Sequence, residues 1–387
     1  MSFYLLPNNS NIINEENINF KYINNIDDIE ISINKSLNNY INYAKKQIDI
    51  YYEEWDTYKK YTNPYEYIHS IIPYTKTSVS KLKPLSRSFF KLIEIFHLLD
   101  ILNDFHIPNI KSFHLAEGPG GFIEALSWLR NNDKDIYYGM TLINDNDVNI
   151  PGWKKSQYFL NKNSNVKIEY GINKNGDLSD VENLNYCYQK YNNLIDIITG
   201  DGGFDFSVDF NKQEITSTKL ILYQICFAIA MQKENGIFIL KFFDLFTNAS
   251  VDLLYFLSLC YEKIYIVKPF TSRYANSEKY IVCKKFKLKN REKIVNKLIE
   301  NYENINEDNF IKKILNLDIP YFFINKLEEY NAIIGQQQIE NIISTINLIN
   351  NNSSKDEKLE NIKFNNIQKC IQWCIKYKIP YNKNLLN

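Results

Sequence analysis

Apolar and aromatic positions recur at three- and four-residue steps through Tyr40, Ala44, Ile48, Tyr51 and Trp55, which predicts a helix over 36–62. Asn63-Pro64-Tyr65 ends it, because the residue before a proline is driven out of the α region. A second helix is expected near 87–102, with Ser86 or Ser88 as its cap. From residue 112 the texture changes. Phe113-His114-Leu115-Ala116 is a short apolar strand that runs into Glu117-Gly118-Pro119-Gly120-Gly121, and a helix begins at Phe122. Further strands are predicted at 136–142, 166–170 and 194–200, the last ending in Asp201-Gly202-Gly203. A helix over 212–233, a strand over 236–242 and a helix over 249–260 follow. Two final strands, 264–268 and 278–286, read as antiparallel neighbours. Strands alternating with helices imply a mostly parallel sheet covered on both faces. Residues 1–35 read as an arm or a poorly ordered lead-in, and 290–387 as helical.

Composition narrows the class. The 387 residues are 45% hydrophobic and 23% charged, enough to bury a large core and too ordinary for a disordered chain. Lys+Arg and Asp+Glu are both 45, so any nucleic-acid-binding surface must come from local charge distribution rather than from net charge. The abundance of Asn, Ile, Lys and Tyr reads as coding from an AT-rich genome. Six scattered cysteines form no CxxC pair, and the four histidines make no metal spacing with them, so buried thiols in a reducing compartment are expected. Cys370 and Cys374 stand one helical turn apart. The N-terminus lacks the basic and apolar regions of a signal peptide, and the apolar run 220–231 is short for a membrane span. A cytoplasmic protein with no membrane partner is expected.

Strand, EGPGG, helix is a nucleotide-type turn, since glycines let a ligand approach the backbone and the helix start offers free N–H groups. The turn is not GxGxxG, and no Lys-Ser/Thr follows, which excludes a P-loop. A tight turn without a ligand has the same local pattern. Its place after the first strand of the α/β region favours a ligand, because such sheets bind at the C-terminal strand ends. Asp201 ends a later strand of that sheet and faces the same crevice. Gly236-Ile237-Phe238-Ile239-Leu240 is a buried-strand pattern followed directly by Lys241. A lysine there is costly unless paired or wet; it either snorkels to solvent or sits at the mouth of the crevice. Glu278 opens the last strand as a potential partner, while Lys91 lies on a helix with Ile93 and Leu98 nearby.

Five stretches together resemble the FtsJ-like ribose 2′-O-methyltransferases, most closely the branch that makes cap-1 on mRNA. They are Ser86-Arg87-Ser88-Phe89-Phe90-Lys91, Ala116 to Phe122, Asp201-Gly202-Gly203-Phe204, Lys241 to Thr247, and Lys268 to Tyr280. Weaker matches are Asn63-Pro64-Tyr65-Glu66, Gly139 to Leu142, Asn175 to Leu178, and Asn211-Lys212-Gln213-Glu214. The likeness covers roughly residues 60–285, and the long fourth and fifth stretches favour mRNA-cap enzymes over rRNA-type members. It implies a Rossmann-like α/β fold with a mostly parallel seven-stranded sheet at 61–290. An N-terminal arm and helical extension (1–60) and a helical C-terminal extension (291–387) flank it. The chain departs from many methyltransferases after the second strand. Thr141-Leu142-Ile143 stands where an acid often holds the cofactor ribose, with Asp145 and Asp147 only later.

The resemblance implies a catalytic tetrad, Lys91, Asp201, Lys241 and Glu278, acting with S-adenosyl-L-methionine and without a metal. A ribose 2′-hydroxyl is a poor nucleophile and needs an acceptor in line with the methyl. A neutral lysine can serve, although free lysine titrates near about 10.4. Asp201 and Glu278 are expected mainly to orient the two lysines. For the cofactor the resemblance points to Ser86, Ala116, Glu117, Gly118, Pro119, Gly120, Gly121, Phe122 and Asp201, with Asp177 and Leu178 at the adenine end. For RNA it points to Lys59, Lys60, Asn211, Lys212, Gln213, Arg273 and Glu278. A basic surface is also expected from Lys81, Lys83 and Arg87, and either an RNA-binding cluster or a solvated strand edge from Lys284, Lys285, Lys287 and Lys289. Capped mRNA is the implied partner, alongside other capping or transcription proteins, for a monomer; a viral origin would place it in a virion or viral factory. Two alternatives stand beside this reading: an rRNA or tRNA ribose methyltransferase, and a non-catalytic RNA-binding or polymerase-associated subunit.

Overall fold

The computed structural model describes residues 3–104, 107–144, 147, 150–203, 211–289, 291–350 and 355–386. Asp145 and Phe204 of the motifs above lie outside the described residues. The N-terminal region supplies β1 (Phe3–Leu5), β2 (Ile18–Ile23), α1 (Lys35–Ile48) and α2 (Tyr52–Thr62). Then α3 (Ser88–Leu98) and α4 (Ile101–Asp104) lead into β3 (Lys111–Leu115) and α5 (Gly121–Arg130). The alternation continues through β4 (Ile136–Met140), α6 (Gln157–Lys162), β5 (Val166–Ile168), α7 (Val181–Tyr191) and β6 (Ile195–Gly200). It ends with α8 (Gln213–Met231), β7 (Gln232–Phe242), α9 (Asn248–Cys260), β8 (Tyr261–Val267) and β9 (Lys279–Phe286). Beyond these lie α10 (Arg291–Tyr302), β10 (Phe310–Leu315), α11 (Tyr321–Asn350) and α12 (Lys355–Lys376).

The central sheet has eight strands in the order β1-β8-β9-β7-β6-β3-β4-β5. Strands β3 to β7 pair in parallel, and β9 runs antiparallel between β7 and β8, as the sequence predicts for the last two strands. The order reverses between β3 and β6, so a crevice opens at their C-terminal ends. Side chains alternate between two cores. Ile195, Ile198, Phe238, Leu240, Ile281 and Cys283 join the core beneath α7 to α10. Ile197, Ile237, Ile239, Tyr280 and Val282 join the core beneath α3, α5 and α12. All six cysteines are buried free thiols. His114 is a core residue whose ring bonds Ser112 Oγ and Thr199 Oγ1, both at 2.8 Å. Helix α8 is long and apolar enough to cross a membrane, yet 78% of that stretch is enclosed inside the fold.

Two expectations are corrected. The sheet has one strand more than seven, because the N-terminal residues are not a loose lead-in: β1 adds to β8 at the edge. The C-terminal region is not wholly helical, because β10 pairs antiparallel with β2. The two ends of the chain thus meet. Helix α11 packs against α1 and α2, so closely that a Cβ on Gly335 would come within 2.9 Å of Ile41. Lys45 on α1 reaches Asp244 beyond β7 at 2.8 Å. Asp252 on α9 holds β10 by accepting the N–H groups of Ile314 and Leu315 at 2.7 and 3.0 Å.

Asp252 is 3% exposed. Asp252→Ala would leave both N–H groups without an acceptor, and we expect a loss of about 3 kcal/mol of stability. A urea midpoint equal to that of the wild type would show that the carboxylate does not brace the joint.

Candidate active site

Strand registers bring the four predicted residues together. Gly200 of β6 lies opposite Leu240 of β7, so the next residues, Asp201 and Lys241, are neighbours. Lys241 pairs with Tyr280 across the antiparallel β7–β9 ladder, and Glu278 lies two residues before Tyr280. Period-two alternation puts Lys241, Glu278 and Tyr280 on the sheet face that carries Ile237, Ile239 and Val282. Helix α3 covers that face, and Lys91 comes from α3.

The contacts are short and specific. Lys91 Nζ lies 2.7 Å from Glu278 Oε1, with both side chains nearly enclosed. Lys241 Nζ donates to the Asp201 carbonyl oxygen at 2.6 Å and stands 3.4 Å from its carboxylate. Two residues outside the predicted set complete the arrangement. Ser272 Oγ donates to Glu278 Oε1 at 2.7 Å, and the Tyr280 hydroxyl donates to Asp201 Oδ1 at 2.9 Å. Strand parity would have flagged Tyr280, since it shares a face with Glu278. Burial alone would raise the Glu278 carboxyl, but the Lys91 and Lys241 ammonium groups outweigh it and hold Glu278 well below the usual carboxylate range. Burial pulls Lys91 below an ordinary lysine against the opposing pull of Glu278, and Arg87 adds to the lowering. A Cβ at Gly203 would lie 2.9 Å from Lys241 Nζ, so a side chain there would displace the Lys241 amine.

The glycine turn closes the crevice beside this cluster. Ala116 and Gly120 adopt positive φ of 50° and 112°, and Gly118-Pro119 is cis. A Cβ on Gly118 would meet the Gly152 carbonyl oxygen at 2.6 Å and Thr141 Oγ1 at 3.1 Å; one on Gly121 would meet Ser86 Oγ at 2.1 Å. The loops after β3, β4 and β5 therefore converge, with Thr141 between Gly118 and Gly176. The start of α5 differs from expectation. The N–H groups of Phe122 and Ile123 are not free, because Glu117 Oε1 accepts both at 2.7 and 2.9 Å. The Phe122 ring is fully buried against Tyr280 rather than lining the crevice. Asp177 is half-buried and accepts from the Ser179 N–H and hydroxyl, both at 2.8 Å, while Leu178 is buried. Burial pushes the Glu117 carboxyl up to about 8, with the Asp201 charge contributing. Two carboxyl groups that crowd one another suit a cationic guest, and the bare glycine backbone gives it close approach. The residues therefore fit S-adenosyl-L-methionine, whose sulfonium and amino group are positive.

A cleft of about 760 Å³ opens on Lys241, Gly203 and Glu278. Its far wall is the end of α1 and the face of α2, with Lys45, Tyr52, Trp55, Asp56 and Lys59; Arg273, Ser277 and Gln338 close the other side. Of the residues predicted for RNA, Lys59, Gln213, Arg273 and Glu278 line it. Lys60, Asn211 and Lys212 are not among the lining residues, and Lys212 faces Asp27 at 3.5 Å. The basic cluster at the end of β9 divides: Lys285 and Lys289 stay exposed, whereas Lys284 turns inward. Lys284 is buried and donates to the Leu99 carbonyl and Asp104, both at 2.6 Å; Lys285 pairs with Glu262, and Lys287 donates to the Asn9 carbonyl. Arg87 is half-buried and donates to the Thr271 carbonyl at 3.0 Å, leaving Lys81 and Lys83 exposed. Among the described residues no group of three or more His, Cys, Asp or Glu side chains could hold a metal ion.

A mostly parallel sheet with β9 reversed inside it, a glycine turn after β3 and paired carboxylates and lysines at the strand ends define a methyltransferase-type site. The model of the FtsJ-like methyltransferases matches residues 84–286, just over half of the 387, and the chain belongs to that family. It is similar to the cap-specific mRNA (nucleoside-2′-O-)-methyltransferase 1A of Caenorhabditis briggsae, 31% identical over 243 residues, 58% of this chain and 27% of that protein. It is 37% identical over 183 residues to the human cap-specific mRNA (nucleoside-2′-O-)-methyltransferase 1, 45% of this chain and 21% of that protein. A C. briggsae relative named inactive, methyltransferase 1B, is 30% identical over 243 residues, 58% of this chain and 28% of that protein. The chain thus spans less than a third of the length of these relatives.

The cleft wall gives a pH prediction. Arg273 binds the buried Glu66 at 2.6 Å. Burial would raise the Glu66 carboxyl, but the Arg273 hydrogen bond and the nearby Arg87 bring it to about 2. A depressed acid stabilises the fold above its unfolded value, about 4.3, and that stabilisation is lost as pH falls toward 2. Glu66→Gln is expected to remove up to about 3 kcal/mol at neutral pH and to flatten the acid limb of a stability–pH curve. An acid limb identical to that of the wild type would refute the assignment.

Proposed function

We propose that this chain is an mRNA cap ribose 2′-O-methyltransferase, transferring a methyl group to the first transcribed nucleotide of capped RNA and converting cap-0 to cap-1. The observation that carries the reading is the pairing of Lys91 with Glu278 and of Lys241 with Asp201, with Lys241 and Glu278 lining the cleft. S-adenosyl-L-methionine supplies an electrophilic methyl group when bound. Everything else falls to the chain. Lys241, held by the Asp201 carbonyl at 2.6 Å, is placed to accept the hydroxyl proton and to aim the ribose oxygen. Lys91 and Glu278 fix one another, which keeps a charged pair ordered beside the reacting atoms. Tyr280 fixes the Asp201 carboxylate from below the cleft floor. The RNA lies along the wall made by α2, where Trp55 and Tyr52 offer stacking surfaces and Lys59 and Arg273 offer phosphate contacts.

The similarity to cap-specific relatives supports capped mRNA over rRNA or tRNA as the substrate. The similarity to a relative named inactive keeps a non-catalytic subunit as the second reading, and the assembled tetrad favours catalysis.

Mass spectrometry of a short capped oligonucleotide after incubation with S-adenosyl-L-methionine tests this directly. One added methyl on the first ribose is expected, with little on the uncapped oligonucleotide. Equal methylation of both would point to the rRNA or tRNA reading, and cofactor binding without transfer to the silent subunit. Lys241→Ala is expected to lower turnover by at least about 10²-fold while cofactor affinity stays near that of the wild type. Wild-type turnover in that variant would sink the assignment. RNA affinity should also fall as salt rises; a flat response would count against an RNA substrate.

A further inference from the structure

Lys268 follows β8 and is 7% exposed. An ammonium in that position is costly, and an apolar side chain of similar volume would avoid the desolvation. Its three donors are all used. Nζ donates to the Asn276 carbonyl at 2.7 Å, to Asn276 Oδ1 at 3.0 Å and to the Glu278 carbonyl at 2.8 Å. Every bond lands on the residues that present the Glu278 carboxylate to Lys91. The loop from 268 to 278 is thus gripped at its base by its own first residue. Ser272, inside the loop, bonds the carboxylate itself.

We propose that Lys268 is a positioning residue for methyl transfer, holding the Asn276–Glu278 backbone so that the Glu278 carboxylate meets Lys91. The inference rests on the reading of the tetrad above. Burial pulls the Lys268 amine down to about 7, while Glu278 and Asp244 oppose that pull and Lys279 and Lys91 add to it.

The test uses the full chain with Lys268→Met, Asn276→Ala and Asp252→Ala, all assayed on capped oligonucleotide well below their melting points. Lys268→Met is expected to lower kcat by about 10²-fold, since a small misplacement near the reacting atoms has that effect. Cofactor Kd and RNA KM should move by less than about threefold, the split of a residue acting on the chemical step. Asn276→Ala, which removes one of three acceptors, should lower kcat by about tenfold. Asp252→Ala weakens a remote joint and should leave kcat within about twofold, so that lost stability is separated from lost positioning. If Lys268→Met does not fold, Asn276→Ala decides alone. A folded Lys268→Met or, failing that, Asn276→Ala with wild-type kcat overturns the inference while the tetrad reading stands. A wild-type chain without transfer activity overturns the tetrad reading and the inference with it.

Discussion

Side-chain parity along three neighbouring strands is the constraint on which the site depends. Registers fix Asp201 beside Lys241 and Lys241 opposite Tyr280. Because successive residues point to opposite faces, a slip of one residue in β9 would send Glu278 to the other core and leave Lys91 facing an apolar surface. The same alternation that buries Ile239 and Val282 therefore aims the charged groups. The reversed strand β9 matters for this reason. Running antiparallel to β7, it delivers its first residues to the level where β6 and β7 end, so that three strand ends share one floor.

Buried carboxylates act as fasteners around that floor. Glu117 binds the first turn of α5 to the glycine loop. Glu94, one turn after Lys91 on α3, accepts from the Phe270 and Thr271 N–H groups at 2.7 and 3.2 Å and from Trp373 of α12 at 3.3 Å. Glu214 accepts from the N–H groups of Phe246 and Thr247 at 2.9 and 2.8 Å. Glu94 and Glu214 join segments remote in sequence, Glu117 closes its own turn, and each satisfies main-chain groups that have no ladder partner. An apolar core would pack as tightly without fixing which loop meets which helix. The loops that flank the tetrad inherit their position from these contacts.

The central α/β region was readable because its pattern obeys both periods at once: alternating or continuous apolar strands, then helical runs, punctuated by EGPGG and DGG. Lys241 was conspicuous as a charge at the end of a buried strand, and Asp201 as a carboxylate beside two glycines. Lys91 was not, since a lysine on an amphipathic helix is ordinary until the sheet face beneath it is known. Tyr280, Ser272 and Lys268 escaped notice for the same reason: their meaning lies in what they touch. The strands β1, β2 and β10 escaped because each is short and only pairs with a partner far along the chain, and in a sequence rich in Ile and Asn no local period marks them. Lys284 misled in the opposite way, since a run of lysines after a strand looks like a solvated edge, whereas the structure turns one inward onto Asp104.

The pairing of β2 with β10, and the packing of α1 and α2 on α11, join residues near 20–60 to residues beyond 310. Contacts that close such long loops form late and set the pace of folding. The strand ends and helix α3 that carry the glycine turn and the four charged residues come from the middle of the chain, whereas the cleft wall made by α1 and α2 is braced by α11. As the polypeptide leaves the ribosome, the α1–α2 wall of the cleft is completed only once α11 has emerged to clamp the first two helices.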